Sequence, residues 1–413
     1  MQSFFRKVIS CSLSPNTEAD DVRLALKVLF SPRLWQEGEA TGEVENWFKQ
    51  YFKVESCVSF NSGRSALLAL LQALGIGKSD EVLTQAFTCV AVPNSLIWAG
   101  AKPVFVDIDE SFNLDVQDAE KKLSPQTKAV IIQHTYGIPA RMEQILSFAE
   151  KHKLFVIEDC AHALGGKYQG KKLGTLGDAA FFSFGRDKVL SSVWGGVALI
   201  NAKCQMTNAK NKLKEIQKSL PMPSKFWILQ QLLHPLAFPL ILASYNLGIG
   251  KGLLFLLQRL GLLSLPVYRG EKRGIRPDDF PAKYPNALAI LLLNQLQKLA
   301  EFNQRRRASA ANYWLSLRSH PMIRAARPVS GAIYLRYPIR MKNPLNPSNR
   351  AKAGGVLLGN WYHHIIDPAG VDLAAVGYQL GSCPQAETAA RQILNLPTLI
   401  SASQRDLVLK CLL

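Results

Sequence analysis

The sequence predicts an α/β protein, built on a doubly wound, mostly parallel sheet with a smaller C-terminal α+β domain. Two patterns support this. Between residues 56 and 200, short apolar runs alternate with amphipathic stretches, the rhythm of βαβ units. Beyond residue 269 the rhythm stops, and a long helical pattern leads into strand-like pieces such as Ala332 to Ile339. With 413 residues, 48% of them hydrophobic, the chain is long enough for a large core.

Taken in order, residues up to about Gly42 read as a lead-in, with helical spacing from Asp20 to Phe30 ended by Ser31-Pro32. Glu43 to Phe52 reads as an amphipathic helix. Cys57 to Phe60 is a strand, and Asn61-Ser62-Gly63-Arg64-Ser65 turns it into a helix that closes at Gly75 and Gly77. Strands follow at Glu81 to Gln85, Pro103 to Asp109, Lys128 to Gly137 and Leu154 to Asp159. Between them lie helices at Val90 to Trp98, Val116 to Leu123 and Met142 to His152. Another apolar strand runs from Asp178 to Phe184. Further on, helical spacing from Asn286 to Leu317 places Arg305, Arg306 and Arg307 on a solvated face, and Gln385 to Leu394 reads as a helix. These readings divide the chain into a large domain (1–225), an apolar insert (226–268), and a long helix with the small domain (269–413).

In the insert, Phe226 to Gly250 passes about 25 residues without a formal charge, enough to reach across a bilayer core as one helix. Pro235 and Pro239 are expected to interrupt it. Two readings stay open: a hairpin lying in an anionic membrane interface, or an apolar insert covered by its own domains or a second subunit. The formal net charge of +18 and a pI near 9.6 call for an anionic partner. Without zinc-finger spacing or an aromatic-rich RNA-binding signature, nucleic acid is not expected, and no metal ligand set is read. The seven cysteines form no CxxC pair and suit a reducing compartment. The N-terminus lacks the sustained apolar core of a secretory signal. A cytoplasmic location is expected, with peripheral contact at the inner face of the membrane under the first reading of the insert.

The chemistry concentrates between Phe155 and Gly196. One strand ends in the acid pair Glu158 and Asp159, and another is followed by a polar turn carrying Lys188. In doubly wound sheets ligands sit at the carboxyl ends of the strands. A lysine and a buried acid there suit pyridoxal 5'-phosphate (PLP), which is held as a lysine Schiff base with its ring nitrogen kept protonated by a carboxylate. Lys188 and Asp159 are the candidates. Arg186, two residues from the lysine, is a cation placed to favour its neutral amine. The turn at Ser62, Gly63, Arg64 and Ser65 opens a helix whose free amides and dipole favour a phosphate. Ser183 is a second donor to that phosphate.

These motifs, with SGRSAL from Ser62, AGAKPVFVDID from Ala99, VIEDCAHALGG from Val156, GDAAFFSFGRDKVLSSVWGG from Gly177 and LNLPT from Leu394, resemble the DegT/StrS family of PLP-dependent sugar aminotransferases. The resemblance implies the fold-type I transferase architecture, a homodimer with sites at the subunit interface, and Lys188 as the Schiff-base lysine. It also implies Asp159 as the ring-nitrogen acid, His162 against the ring or its phenolic oxygen, and Arg64, Ser65 and Ser183 at the phosphate. Cys89 stands where many members place a stacking aromatic ring, with Phe87 nearby. Asn286 and Lys283 both stand open for the partner subunit's phosphate contact. The implied reaction moves an amino group, from glutamate by family resemblance, to a nucleotide-linked keto-sugar for cell-envelope glycan or polysaccharide synthesis. The alternatives are a sugar dehydratase or other PLP enzyme, and a membrane-peripheral non-catalytic regulator on the same fold. Retention of Lys188 favours transamination over dehydration.

Overall fold

A seven-stranded sheet organises the chain, seen in a computed structural model that describes residues 8–413. Residues 1–7 of the lead-in, read above as part of a non-secretory N-terminus, lie outside the described residues. The strands are β1 (Ser56–Phe60), β2 (Glu81–Gln85), β3 (Lys102–Val106), β4 (Thr127–Gln133), β5 (Phe155–Asp159), β6 (Ala179–Ser183) and β7 (Gly196–Ile200). Their spatial order is β1-β7-β6-β5-β4-β2-β3. Only β7 runs antiparallel to its neighbours; the other pairs are parallel.

Helices cover both faces, as parallel strands require. One face holds α3 (Gly63–Ala73), α4 (Ala91–Ala99) and α7 (Ala209–Ser219), which pack through Leu67, Leu70, Leu96 and Leu213. The other is covered by α1 (Ala19–Leu29), α2 (Ala40–Phe52), α5 (Val116–Lys121), α6 (Met142–Lys151), α8 (Lys225–Ala243) and α10 (Asn286–Gln297). Their side chains Val28, Phe48, Ala119, Ile145, Ile228 and Leu292 share one core. The small domain joins β8 (Arg324–Ala325), β9 (Arg336–Arg340) and β10 (Ile393–Pro397) in one sheet. The last turns of α11 (Leu299–Leu317), with α12 (Leu345–Ala353) and α14 (Ala402–Leu412), pack on it through Tyr313, Leu317, Ala351 and Val408. α13 (Pro384–Gln392) instead joins the aromatic cluster around Phe87 and Tyr362.

Three expectations are corrected. The helical pattern from Asn286 to Leu317 is two helices, α10 and α11, meeting at Lys298. There the backbone tightens to a Lys298 N–H bond onto Gln295 O (3.0 Å), and the ammonium is drawn to Asp20 and Asp21 of α1 (2.6 and 2.9 Å). The arginine run is not one solvated face, because consecutive helical residues point about 100° apart. Arg306 is fully buried, its guanidinium donating to Val189 O (2.7 Å) and Asn303 Oδ1 (2.8 Å). Burial with no facing acid pushes its pKa down to about 9.

The prolines of the insert do not interrupt it either. α8 is continuous through Pro235 and Pro239, since burying Trp227, Ile228, Leu232 and Phe238 outweighs the missing backbone bonds. α8 is long and apolar enough to cross a bilayer, and half of that stretch is buried within the chain. It packs on α1 and α10, so the inner side of the insert is covered by its own domain. The hairpin is completed by α9 (Ile249–Arg259).

Candidate functional site

The site gathers at the carboxyl ends of β1, β5 and β6. At the end of β1, Ser62 caps α3, its hydroxyl accepting from Ser65 N (3.1 Å). The Ser65 hydroxyl is spent on Asn61 Oδ1 (2.7 Å). Ser62 O also accepts from Ala66 N (3.0 Å). The amides of Gly63 and Arg64, at the positive end of the helix dipole, have no acceptor among the described residues. Close approach explains the glycine: a Cβ on Gly63 would sit 2.8 Å from Ser183 Cβ and 3.0 Å from Ser183 Oγ. Ser183 thus packs directly against the start of α3, beside the two free amides.

Beside it, the acid pair of β5 divides, because adjacent strand residues point to opposite faces. Glu158 turns inward and accepts from the amides of Gly174 (2.8 Å), Leu176 (2.7 Å) and Gly177 (2.7 Å). His134 Nδ1 accepts from Ala140 N (3.2 Å), which leaves Nε2–H to donate to Glu158 (3.1 Å). Although His134, Glu158 and Cys160 cluster like metal ligands, the histidine and the carboxylate are already engaged in shaping the 174–177 turn. Asp159 is 4% exposed, and among the described residues its carboxylate accepts from one amide, that of Ala161 (2.9 Å). Burial holds its carboxyl above the usual range, against the Ala161 bond and the charge of Lys188.

Lys188 Nζ stands 3.2 Å from His162 Nε2 and 4.6 Å from the centre of the Trp361 ring. His162 Nδ1 accepts from Tyr136 N (3.3 Å), so the proton of the neutral ring sits on Nε2. Burial first, then the charges of Lys188 and Arg336, push this histidine well below its ordinary pKa. The lysine turn is held from outside the sheet. Asn16 Nδ2 donates to Lys188 O (2.8 Å) and Val189 O (3.0 Å), and Arg306 donates to Val189 O.

The structure brings Ser62, Gly63, Ser65, Asp159, His162, Ser183 and Lys188 to this one region. Other expected contacts go elsewhere. The Arg64 guanidinium leaves the turn to pair with Glu271 and Pro266 O, lying over Trp194 (4.9 Å) and Phe280 (5.0 Å). Phe87 is fully buried among Phe112, Tyr136 and Tyr362. Cys89 is partly exposed and within the field of Lys188, and burial of its thiol raises its pKa. Arg186 turns away from Lys188 to the Ser264 hydroxyl of the insert. Asn286 spends both ends of its amide within its own chain, on Ala40 N (3.0 Å) and Leu34 O (2.8 Å).

Sequence reasoning missed Asn16, Arg336, Trp361 and Tyr362. Trp361 stacks on His162 (5.0 Å, 13°) and under the Arg336 guanidinium (3.4 Å). Arg336 is buried and paired with Asp187 (3.0 Å). Three of the four come from the small domain and one from the lead-in, with no local motif to announce them.

A profile of the DegT/DnrJ/EryC1/StrS aminotransferase family matches residues 15–215 and 279–412. The chain belongs to this family. Among its relatives, the pleiotropic regulatory protein of Geobacillus stearothermophilus is 30% identical over 365 residues, 87% of this chain and 84% of that one. GDP-perosamine synthase of Escherichia coli O157:H7 is 38% identical over 190 residues, 46% of this chain and 52% of the synthase. The chain thus spans about half the length of the first curated relatives it matches. The crystal structure of S. venezuelae DesV in complex with a ketimine intermediate matches with TM-score 0.70 and 25% identity, over 95% of this chain and 93% of DesV. The fold is therefore that of the PLP-dependent sugar aminotransferases.

DegT-family aminotransferases use PLP, and the residues present fit it. The free amides of α3 and the Ser183 hydroxyl suit its phosphate, and Lys188 suits its aldehyde. Asp159, a buried carboxylate lacking a counter-charge in hydrogen-bond contact, suits its protonated ring nitrogen.

Proposed function

We propose that this chain is a PLP-dependent aminotransferase acting on a nucleotide-linked keto-sugar, with glutamate as donor and a homodimer as the working unit. What carries the reading is the convergence of Lys188, His162 and the buried Asp159 beside an anion-binding helix start. The names of the perosamine synthases and of the Acidithiobacillus ferrooxidans UDP-sugar aminotransferase support the substrate class.

When bound, the coenzyme supplies an electron sink for the carbanion formed at the donor's α-carbon. Asp159 holds the proton of the ring nitrogen. Lys188 Nζ would take the proton from the donor's α-carbon and deliver it to the carbon of the coenzyme that had been its aldehyde, and would carry a proton the opposite way, from that carbon to the sugar carbon, in the second half of the reaction. His162, kept neutral by burial, adds no second charge beside Lys188, and its Nε2–H can donate to the lysine nitrogen only in the neutral-amine form that abstracts a proton. The amides of Gly63 and Arg64 anchor the phosphate. The basic balance of the chain, +18, suits a substrate carrying a diphosphate.

Lys188→Ala tests this. The visible absorbance of the lysine-linked coenzyme should vanish and turnover of glutamate with a keto-sugar nucleotide should fall by roughly 10³-fold or more. An active Lys188→Ala enzyme, or a wild-type protein that stays colourless with added PLP, overturns the assignment.

A further inference from the structure

The family profile leaves residues 216–278, which contain the helical hairpin α8–α9, unmatched. Its inner side is well made. α9 meets α8 through Leu253, Leu254 and Leu257 against Phe238 and Ile241, with Leu263 of the following segment closing the cluster. A Cβ on Gly250 would clash with Ile241 O and with the backbone of Tyr245, so the two helices pack backbone to backbone. The hairpin is a defined element with its own small core.

Its outer side is the anomaly. On α9, Ile249, Leu256 and Leu260 recur at spacings of seven and four and share one helix face, while Phe255 lies about 100° round the helix from Leu256, beyond Arg259. Ile249 and Phe255 are 64% exposed, Leu260 60% and Leu256 50%, and Leu240 at the end of α8 is 66% exposed. Scattered exposed leucines are ordinary, but a stripe of exposed apolar side chains along a helix already packed on its other side marks an interaction surface.

The charges around it select the occupant. From Ile216 to Gly270 there is no aspartate or glutamate, while Lys218, Lys225, Lys251, Arg259 and Arg269 are all exposed. A second copy docked across a two-fold axis would set this patch against itself, with Lys251 and Arg259 facing their own counterparts and no acid in the patch to pair them. An anionic bilayer satisfies both halves. Apolar side chains enter the acyl boundary, and the flanking cations meet lipid phosphates. We propose that the outer face of α9 docks this protein on an anionic membrane surface, lying in the interface without spanning it. α8 cannot serve as a spanning helix while half of it is buried against the chain. Ile249, Leu256 and Leu260 are not among the residues placed at the amino-transfer site, so each reading can fail without the other.

The test is flotation of the full-length, coenzyme-loaded protein with phosphatidylcholine vesicles, with and without phosphatidylglycerol. The protein should float with the phosphatidylglycerol vesicles only, and less as salt is raised. Lys251→Ala with Arg259→Ala should weaken partitioning by about 30-fold. Leu256→Gln with Leu260→Gln should abolish it, with the circular dichroism spectrum and coenzyme absorbance unchanged. Absence of flotation, equal flotation on neutral vesicles, or flotation indifferent to both double variants overturns the proposal. So does light scattering that shows Leu256→Gln with Leu260→Gln splitting an oligomer, which would assign the face to a second copy.

Discussion

Glu271→Ala tests how the insert is tied to the phosphate turn. Glu271 is fully buried, and its carboxylate accepts from the Arg64 guanidinium and from Tyr268 N (2.8 Å). Removing it leaves Arg64, whose side chain is only 8% exposed, with the Pro266 carbonyl (2.9 Å) and the faces of Trp194 and Phe280. Breaking a buried pair by deleting one partner costs about 3–5 kcal/mol. The two ring contacts offset about 1 kcal/mol of this, leaving a loss of about 2–4 kcal/mol. With a slope near 3 kcal/mol per molar, the urea midpoint of the coenzyme-free protein should drop by about 1 M, followed by circular dichroism. Arg64→Met with Glu271→Met should lose less than Glu271→Ala alone, since no charge is stranded. A double variant that loses the sum of the two single Met variants would refute the pairing. The same tether fixes the first turn of α3, so Glu271→Ala should also weaken PLP binding.

Gly63→Ala should lower PLP affinity by roughly tenfold or more, because its methyl would press on Ser183 at 2.8 Å. Titration with pyridoxal, which lacks the phosphate, should show no such loss, and an equal loss for both ligands would count against the phosphate cradle. Asp367 gives a pH signature. Burial, only partly opposed by Arg336, raises its carboxyl from 3.8 to about 7. The unfolded chain gives up this proton near pH 4 and the folded chain keeps it to near pH 7, so stability falls as pH rises through that window, by up to about 4 kcal/mol. Asp367→Asn should flatten that fall in urea midpoints measured between pH 4 and 8, and an unchanged slope would remove Asp367 as its source.

Much of the site was legible because its parts sit on short local motifs. Gly63 and Ser65 follow a strand, and Asp159 closes one, so period and position were enough. The pairing of Glu158 with Asp159 was legible but not its division of labour, which depends on the 174–177 turn folding back under β5. Arg64 and Arg186 were assigned by nearness in sequence, yet their long side chains follow burial and counter-charge to Glu271 and Ser264. Arg306 was misjudged because three consecutive helical arginines cannot share a face. The break between helices at Lys298 was invisible because apolar spacing continues across it; the ion pairs to α1 lie in residues almost 280 positions away.

By itself, the amino-acid order determined the alternation of strands and helices, and with it a parallel sheet whose strand ends carry an acid, a lysine and a phosphate turn. Periodicity and turn chemistry are local, and they act before the chain is closed. Only tertiary structure decided what surrounds the lysine: Asn16 from the lead-in, and Arg336, Trp361 and Tyr362 from the small domain. It also decided that the apolar insert would bury one side and leave the other bare. Those outcomes depend on which distant surfaces meet, and no window of sequence contains both partners.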